Sequence, residues 1–384
     1  MEPASRSADD FAVVGGRLLT GLAELSDDLG VLDEPAPGVW VVVLPFDEPP
    51  VCARFAVAGP ERPFERGAGP ERPFERGAGP DPTLAAARPW VGPSTGSWTS
   101  SLDGPAYAKR VAVIREAIAA GDVYQVNLCR RLSAPVPPGA DLAALGAALV
   151  ARNPAPHQAL VWLPAAGVAV ASASPERFLR RRGRSVESEP IKGTTATGGA
   201  FGPKDRAENV MIVDLVRNDL GRVCEPGSVT VPTLCRPEPH PGLVHLVSSV
   251  RGRLRRGVGW AELLAATFPP GSVTGAPKTA ALEIIGGLEP VPRGVYCGSV
   301  GWVDSQRGHG DLNVAIRTFW LEDGALHFGT GAAVTWDSTP IGEWEETELK
   351  ARALLDIASA PLRGPVGPKM PRSGGRLGPR AVTT

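Results

Sequence analysis

Apolar residues along this chain repeat with two different periods. Tyr107, Val111, Ile114 and Ile118 recur three or four positions apart and stop before Gly121, which predicts an amphipathic helix closed by a glycine. Residues 123–132 alternate instead: Tyr124, Val126 and Leu128 share one face and Gln125 and Asn127 the other, as in a half-buried strand. Residues 158–163 and 168–173 read as a strand pair leading into Ser174-Pro175-Glu176. Helical patterns return over 205–220 and 340–358, while 244–254, 296–303, 312–320 and 325–329 read as extended. Residues 11–57 alternate short apolar runs with turn residues. Strands and helices come in runs rather than in strict β-α-β alternation. The expected class is therefore α+β, with largely antiparallel sheets flanked by helices.

This organisation divides the 384 residues into three expected parts. They are a short β-rich N-terminal portion over 1–100, a dense unit over 101–360 and a disordered tail over 361–384. Residues 59–68 are repeated without change as 69–78. Two copies are too few to stack as a solenoid, and their proline, glycine and charge predict an exposed linker. Hydrophobic residues make up 43%, enough for a sizeable core, and a formal net charge of -1 offers nucleic acid no basic field. The five cysteines are scattered and never form a C-x-x-C pair, which argues against a disulfide framework and fits a reducing compartment. The start has no leader-like pattern and no run reaches membrane-spanning length, so a cytoplasmic location is expected.

Lysine changes the picture. Arginine carries most of the positive charge, and Lys109, Lys192, Lys204, Lys278, Lys350 and Lys369 are the only lysines. A lysine can shed its proton and become an amine nucleophile, which arginine cannot do at ordinary pH. Lys192, in the tight loop Pro190-Ile191-Lys192-Gly193-Thr194, is thus a candidate nucleophile, although taken alone it reads as a surface lysine. Glu208 sits on one predicted helix, and Glu343 and Glu346 share a face of another, with Lys350 a turn beyond Glu346. Two readings stay open for these carboxylates: dipole and salt-bridge partners, or a Mg²⁺ site built from two helices. The glycine-rich loops PPGSVTGAPK and FGTGAAV fit neither phosphate-loop nor dinucleotide spacing, yet both can offer N–H groups to a carboxylate. Arg317 lies in an apolar strand, where its charge needs either a structural salt bridge or an anionic substrate.

Taken in order, GDVYQVNL, SPERF, PIKGT, DRAENVMIVDLVRNDLGRV, HLVSSVRG, GSVTGAPK, AIRT and EWEETELKA resemble the chorismate-utilising enzymes. The resemblance runs from about Tyr107 to Leu355 and implies the chorismate-binding fold, in which antiparallel sheets pack face to face with helices outside. It makes residues 101–360 the catalytic domain. Gln125 stands where water-adding members carry a lysine base, and Lys192 where anthranilate-forming members usually carry alanine. Both positions resemble the branch that replaces the C4 hydroxyl of chorismate with an amino group.

By this resemblance Glu176 is the general acid for the departing hydroxyl and Lys192 the nucleophile at ring carbon C2. Glu208 and Glu346 match Mg²⁺ ligands, and Glu343 an outer carboxylate. Arg317, Lys350 and the N–H groups around Gly331 match substrate-carboxylate contacts, while Tyr296, His245, Thr274 and Gln125 line the pocket. The implied partners are chorismate, ammonia and a separate glutamine amidotransferase subunit, in supply of para-aminobenzoate for folate. Neither nucleic acid nor membrane is involved. Anthranilate formation, or a non-catalytic chorismate-binding role, are the alternatives. The sequence departs from the family after PIKGT, where TATGGAFGPK is short and lacks the usual arginine, and it lacks the leucine-rich signature of tryptophan-inhibited members.

Overall fold

The computed structural model describes residues 10–59, 90–137, 140–240 and 243–359. The expected tail, and all of the duplicated segment except Gly59, lie outside them. Among the described residues there are eighteen strands and six helices: α1 (Gly104–Ala120), α2 (Leu142–Arg152), α3 (Pro203–Gly221), α4 (Trp260–Thr267), α5 (Lys278–Leu288) and α6 (Pro340–Ser359).

Every pairing between strands is antiparallel, and the pairings form one continuous ladder. It starts at Gln125–Pro135 and passes through Ala325–Val334, Thr318–Glu322, Val168–Ser174, His157–Leu163 and Phe11–Val14. The hairpin from Phe11–Val14 to Arg17–Ser26 carries it onward to Val51–Ala58, Val39–Leu44, Ser299–Asp304 and His309–Asn313. Arg177–Arg182, Ser185–Glu189 and Leu243–Arg253 follow, and the last of these also pairs with Ile191–Ala196 and Thr230–His240.

Side-chain alternation decides how this ladder packs. Val161 and Leu163 join one core with Trp40, Val42, Val300 and Leu312 from the far half of the ladder. The two halves therefore meet face to face. Leu160 and Trp162, on the opposite face of the same strand, pack with Leu145 and Leu149 of α2 and Leu354 and Ile357 of α6. On the other half, Ile212, Val216 and Leu220 of α3 cover Val250 and Leu254. The fold is α+β, as its sequence pattern predicts, with helices on the outer faces.

The predicted helix ended by Gly121 is α1: Asp103 accepts a hydrogen bond from the Ala106 amide at its start, and Gly121 closes it at φ 84°. Tyr107, Val111 and Ile114 pack on Val126 and Leu128, the face assigned by alternation. Four expectations need correction. The extended run over 312–320 is broken into His309–Asn313 and Thr318–Glu322, because Arg317 takes the left-handed conformation at φ 51°. The strand expected over 296–303 begins only at Ser299, after a turn in which Cys297 has φ 66°. FGTGAAV is no loop but the interior of Ala325–Val334, and the PIKGT lysine lies on strand Ile191–Ala196 rather than in a loop.

Candidate active site

A backbone corner fixes the acid. Ser174 Oγ donates to the Val314 carbonyl at 2.6 Å, and the Val314 amide donates to the Glu176 carbonyl at 3.0 Å. These bonds tie Glu176 to the irregular segment 314–317 that carries Arg317. Glu176 is only 3% exposed. Burial raises its pKa to about 7, while the Ser272 hydroxyl, the Lys192 charge and the Ile191 amide pull the other way without prevailing.

The amine comes from the neighbouring strand. Register slips between Ile191 and Thr194, and Gly193 between them has φ 85°. A side chain at 193 would meet Asp205 Cβ at 3.0 Å, so glycine lets this strand lie close to the start of α3. Asn209 of α3 donates to the carbonyls of Lys192 at 3.4 Å and Leu246 at 2.9 Å, and accepts from Ser248. It fastens the helix of Glu208 to the strands of Lys192 and His245. Burial lowers the Lys192 pKa; Glu208 opposes this, Lys350 reinforces it, and Glu176 and Glu346 oppose it more weakly. The amine, the acid and carboxylates of two helices thus share one electrostatic field.

Those carboxylates are linked through lysines. Lys204 Nζ lies 3.7 Å from Glu208 and 3.9 Å from Glu343, and Lys350 Nζ lies 2.6 Å from Glu346. Burial, opposed by Lys192 and Lys204 and aided by Glu346, raises the Glu208 pKa. Burial also raises that of Glu343, and its Oε2 is buried without a hydrogen-bond partner. For Glu346 burial acts upward too, but Lys350 outweighs it and the pKa falls. Among the described residues no three His, Cys, Asp or Glu side chains converge closely enough to hold a metal as they stand. In donor type, hard oxygens with one orphaned atom, the cluster suits a divalent cation such as Mg²⁺.

Arg317 forms no ion pair with a carboxylate of the described residues, and burial lowers its pKa. Its Nη2 lies 3.5 Å from His245 Nε2, and His245 Nδ1 lies 2.8 Å from Thr194 Oγ1, two residues beyond Lys192. With the guanidinium as donor, Nε2 accepts and Nδ1–H donates to the threonine. Gln125 is fully buried and neither end of its amide has a hydrogen-bond partner. The Tyr296 ring lies over Gly329, where a Cβ would come within 2.0 Å of it.

Two predicted contacts are otherwise engaged. Thr274 Oγ1 donates to the carbonyls of Pro270 and Gly271 at 3.2 Å, and Gly331 pairs with Cys129 in the ladder while its carbonyl accepts from Lys350 at 3.1 Å. Sequence reasoning missed Asn209 and Ser272. Asn209 had a signal, a polar residue on the apolar side of a helical repeat; Ser272 had none.

Lys192 thus feels the charges of Glu208, Lys350, Glu176 and Glu346, and Arg317 lies beside His245 of the neighbouring strand. The family of chorismate binding enzymes matches residues 83–356, and the chain belongs to it. It is 43% identical over 284 residues to anthranilate synthase component 1 of Streptomyces coelicolor, covering 71% of this chain and 55% of the relative. It is 41% identical over 273 residues to aminodeoxychorismate synthase component 1 of Klebsiella aerogenes, covering 68% and 59%. The match thus spans little over half the length of these relatives. Among solved structures, an anthranilate synthase component I from Streptococcus pneumoniae superimposes with a TM-score of 0.68 at 26% identity, covering 84% of this chain and 81% of that one. A putative 2,3-dihydroxybenzoate-specific isochorismate synthase from Bacillus anthracis gives a TM-score of 0.73 at 24% identity, covering 92% and 97%, and shares the fold. Among the described residues no helix is long and apolar enough to cross a membrane.

Proposed function

We propose that this chain aminates chorismate at C4, forming 4-amino-4-deoxychorismate from ammonia delivered by a separate glutamine amidotransferase. One observation carries the reading: burial pushes the proton affinities of Glu176 and Lys192 in opposite directions while each feels the other's charge. The acid keeps a proton to give, and the amine more readily loses one. In this reading Lys192 attacks C2, the ring double bond shifts, and the C4 hydroxyl takes the Glu176 proton and leaves as water. Ammonia then attacks C4, the double bond shifts back, and the Lys192 nitrogen departs. Arg317, with His245 behind it, receives a substrate carboxylate, and Lys350 assists; Gln125 and Tyr296 line the ring. Glu208 and Glu346 would hold Mg²⁺, with Glu343 beside them. When bound, the ion supplies charge that anchors the ring carboxylate and polarises the substrate.

The Streptomyces coelicolor relative supports a second reading, anthranilate formation. Incubating purified protein with chorismate, Mg²⁺ and ammonium separates the two. Product identified by mass as aminodeoxychorismate, with no pyruvate until a lyase is added, supports amination at C4. Pyruvate released together with fluorescent anthranilate overturns it.

A further inference from the structure

Beside the site, and unused by the reaction, lies a pair of thiols. Cys129 and Cys297 are 2% and 0% exposed, are both free, and bring their Sγ atoms within 3.9 Å. Among the described residues they are the only two cysteines in contact. Asn127 Nδ2 donates to Cys129 Sγ at 3.3 Å. Arg293, held by both carboxylate oxygens of Glu289, adds positive potential to the two sulfurs. Burial raises the Cys129 pKa; at Cys297 burial acts the same way, but the Cys129 thiol and Arg293 outweigh it and the pKa falls. The thiol whose proton is held less tightly thus lies beside a second that can resolve it. Cys129 is not sealed in: it lines a cleft together with Arg130, Glu289, Arg293, Tyr296 and Gly329, with Cys297 directly behind it.

We propose that Cys129 and Cys297 are a modification site that closes reversibly to a disulfide and, when closed, slows chorismate turnover. With a peroxide as oxidant, one thiolate attacks the O–O bond, giving a sulfenic acid and hydroxide, which recovers the lost proton and leaves as water. The second thiol attacks the sulfenic sulfur, forming the S–S bond and releasing another water. Two thiols are oxidised and one peroxide is reduced to two waters. A disulfide holds its sulfurs about 2.05 Å apart, so from 3.9 Å the two side chains must turn and shift against their neighbours. Cys129 faces Gly331 in the ladder, and a side chain there would meet Cys129 Sγ at 2.7 Å. The Cys297 amide donates to the Ala315 carbonyl at 3.0 Å, two residues before Arg317, and the adjoining Tyr296 ring rests on Gly329. Closing the bond therefore displaces groups on two sides of the pocket.

The effect on turnover rests on the function proposed above; formation of the bond does not. The test treats the full chain with hydrogen peroxide, blocks free thiols, and maps peptides before and after dithiothreitol. Expected are joined peptides carrying Cys129 and Cys297, lighter by two hydrogens and separated by the reductant. A severalfold loss of chorismate turnover should accompany them, reversed by dithiothreitol and absent in Cys129→Ala relative to its own untreated rate. If both thiols remain open to blocking, or one advances to a sulfinic acid without cross-linking, the modification site is overturned. A cross-link that leaves turnover unchanged overturns the effect on the pocket. A cross-link in a protein whose reduced form never consumes chorismate overturns the functional reading instead.

Discussion

Two charged regions lie on different halves of the ladder and are treated in opposite ways. On the strands Arg177–Arg182 and Ser185–Glu189, charges are matched: Arg177 joins Asp311 and Glu189, and Glu187 receives both Arg180 and Arg251. On the other half, Arg317 forms no ion pair with a described carboxylate, Gln125 has no partner at either end, and Glu343 Oε2 is orphaned. An unpaired buried polar group costs stability, and a protein tolerates it where a ligand completes the set. The density of charge does not mark the site; the unfinished pairing does.

Substitutions can break this contrast. The largest effect is expected at Lys192→Ala, on the order of a thousandfold loss of ammonia-dependent product if the amine forms the covalent intermediate. Turnover within a few-fold of the unaltered protein, measured with ammonium as donor, would remove the covalent step. Arg317→Met and Arg177→Met form the sharper pair. Losing a charge-assisted contact to the substrate should raise KM by about 10- to 100-fold for Arg317→Met, with stability unchanged or improved because no described carboxylate is left behind without its cation. Arg177→Met removes the ion-pair partner of Asp311 and one of the partners of Glu189 and should lose about 3–5 kcal/mol of folding free energy, with KM little changed. Denaturant melts and saturation curves on both variants read the two axes. If Arg317→Met destabilises as much as Arg177→Met and leaves KM alone, Arg317 is a structural charge and not a substrate contact.

Periodicity makes the helices α1, α3 and α6 legible, as well as the two faces of Gln125–Pro135, because each has a clean polar-to-apolar contrast. Helices α2 and α5 escape it: LAALGAALVAR and KTAALEIIGGL are apolar or small on nearly every side, so the pattern carries no phase. The break at Arg317 is invisible in sequence because a left-handed residue inside an apolar run leaves no compositional trace. The chemistry of the site is readable as motifs, yet their separation gives no distances. That Glu176 is anchored through Val314 to the Arg317 segment, and Glu208 through Asn209 to the Lys192 strand, depends on long-range bonds that no local window contains.

The smallest expected effect tests whether Glu176 belongs with the strained groups or with the satisfied ones. Its carboxyl ordinarily titrates near 4.5 and does so at about 7 in the folded chain. Between these values the native state binds more protons than the unfolded one, so stability is greatest below pH 4.5 and falls as pH rises through 7. The fall amounts to at most about 3.5 kcal/mol, since a tenfold change in proton affinity corresponds to about 1.4 kcal/mol. Glu176→Gln removes the ionisation but keeps the shape. The variant should therefore match the original near pH 4.5 and melt a few degrees higher at pH 8, by about 2–4 °C per kcal/mol. It should also lose most of its turnover, because an amide cannot supply the proton that releases water. A melting difference that stays flat from pH 5 to 8, or favours the glutamate at pH 8, would mean that this carboxylate is solvated or paired. It would then lack the proton that the proposed chemistry needs.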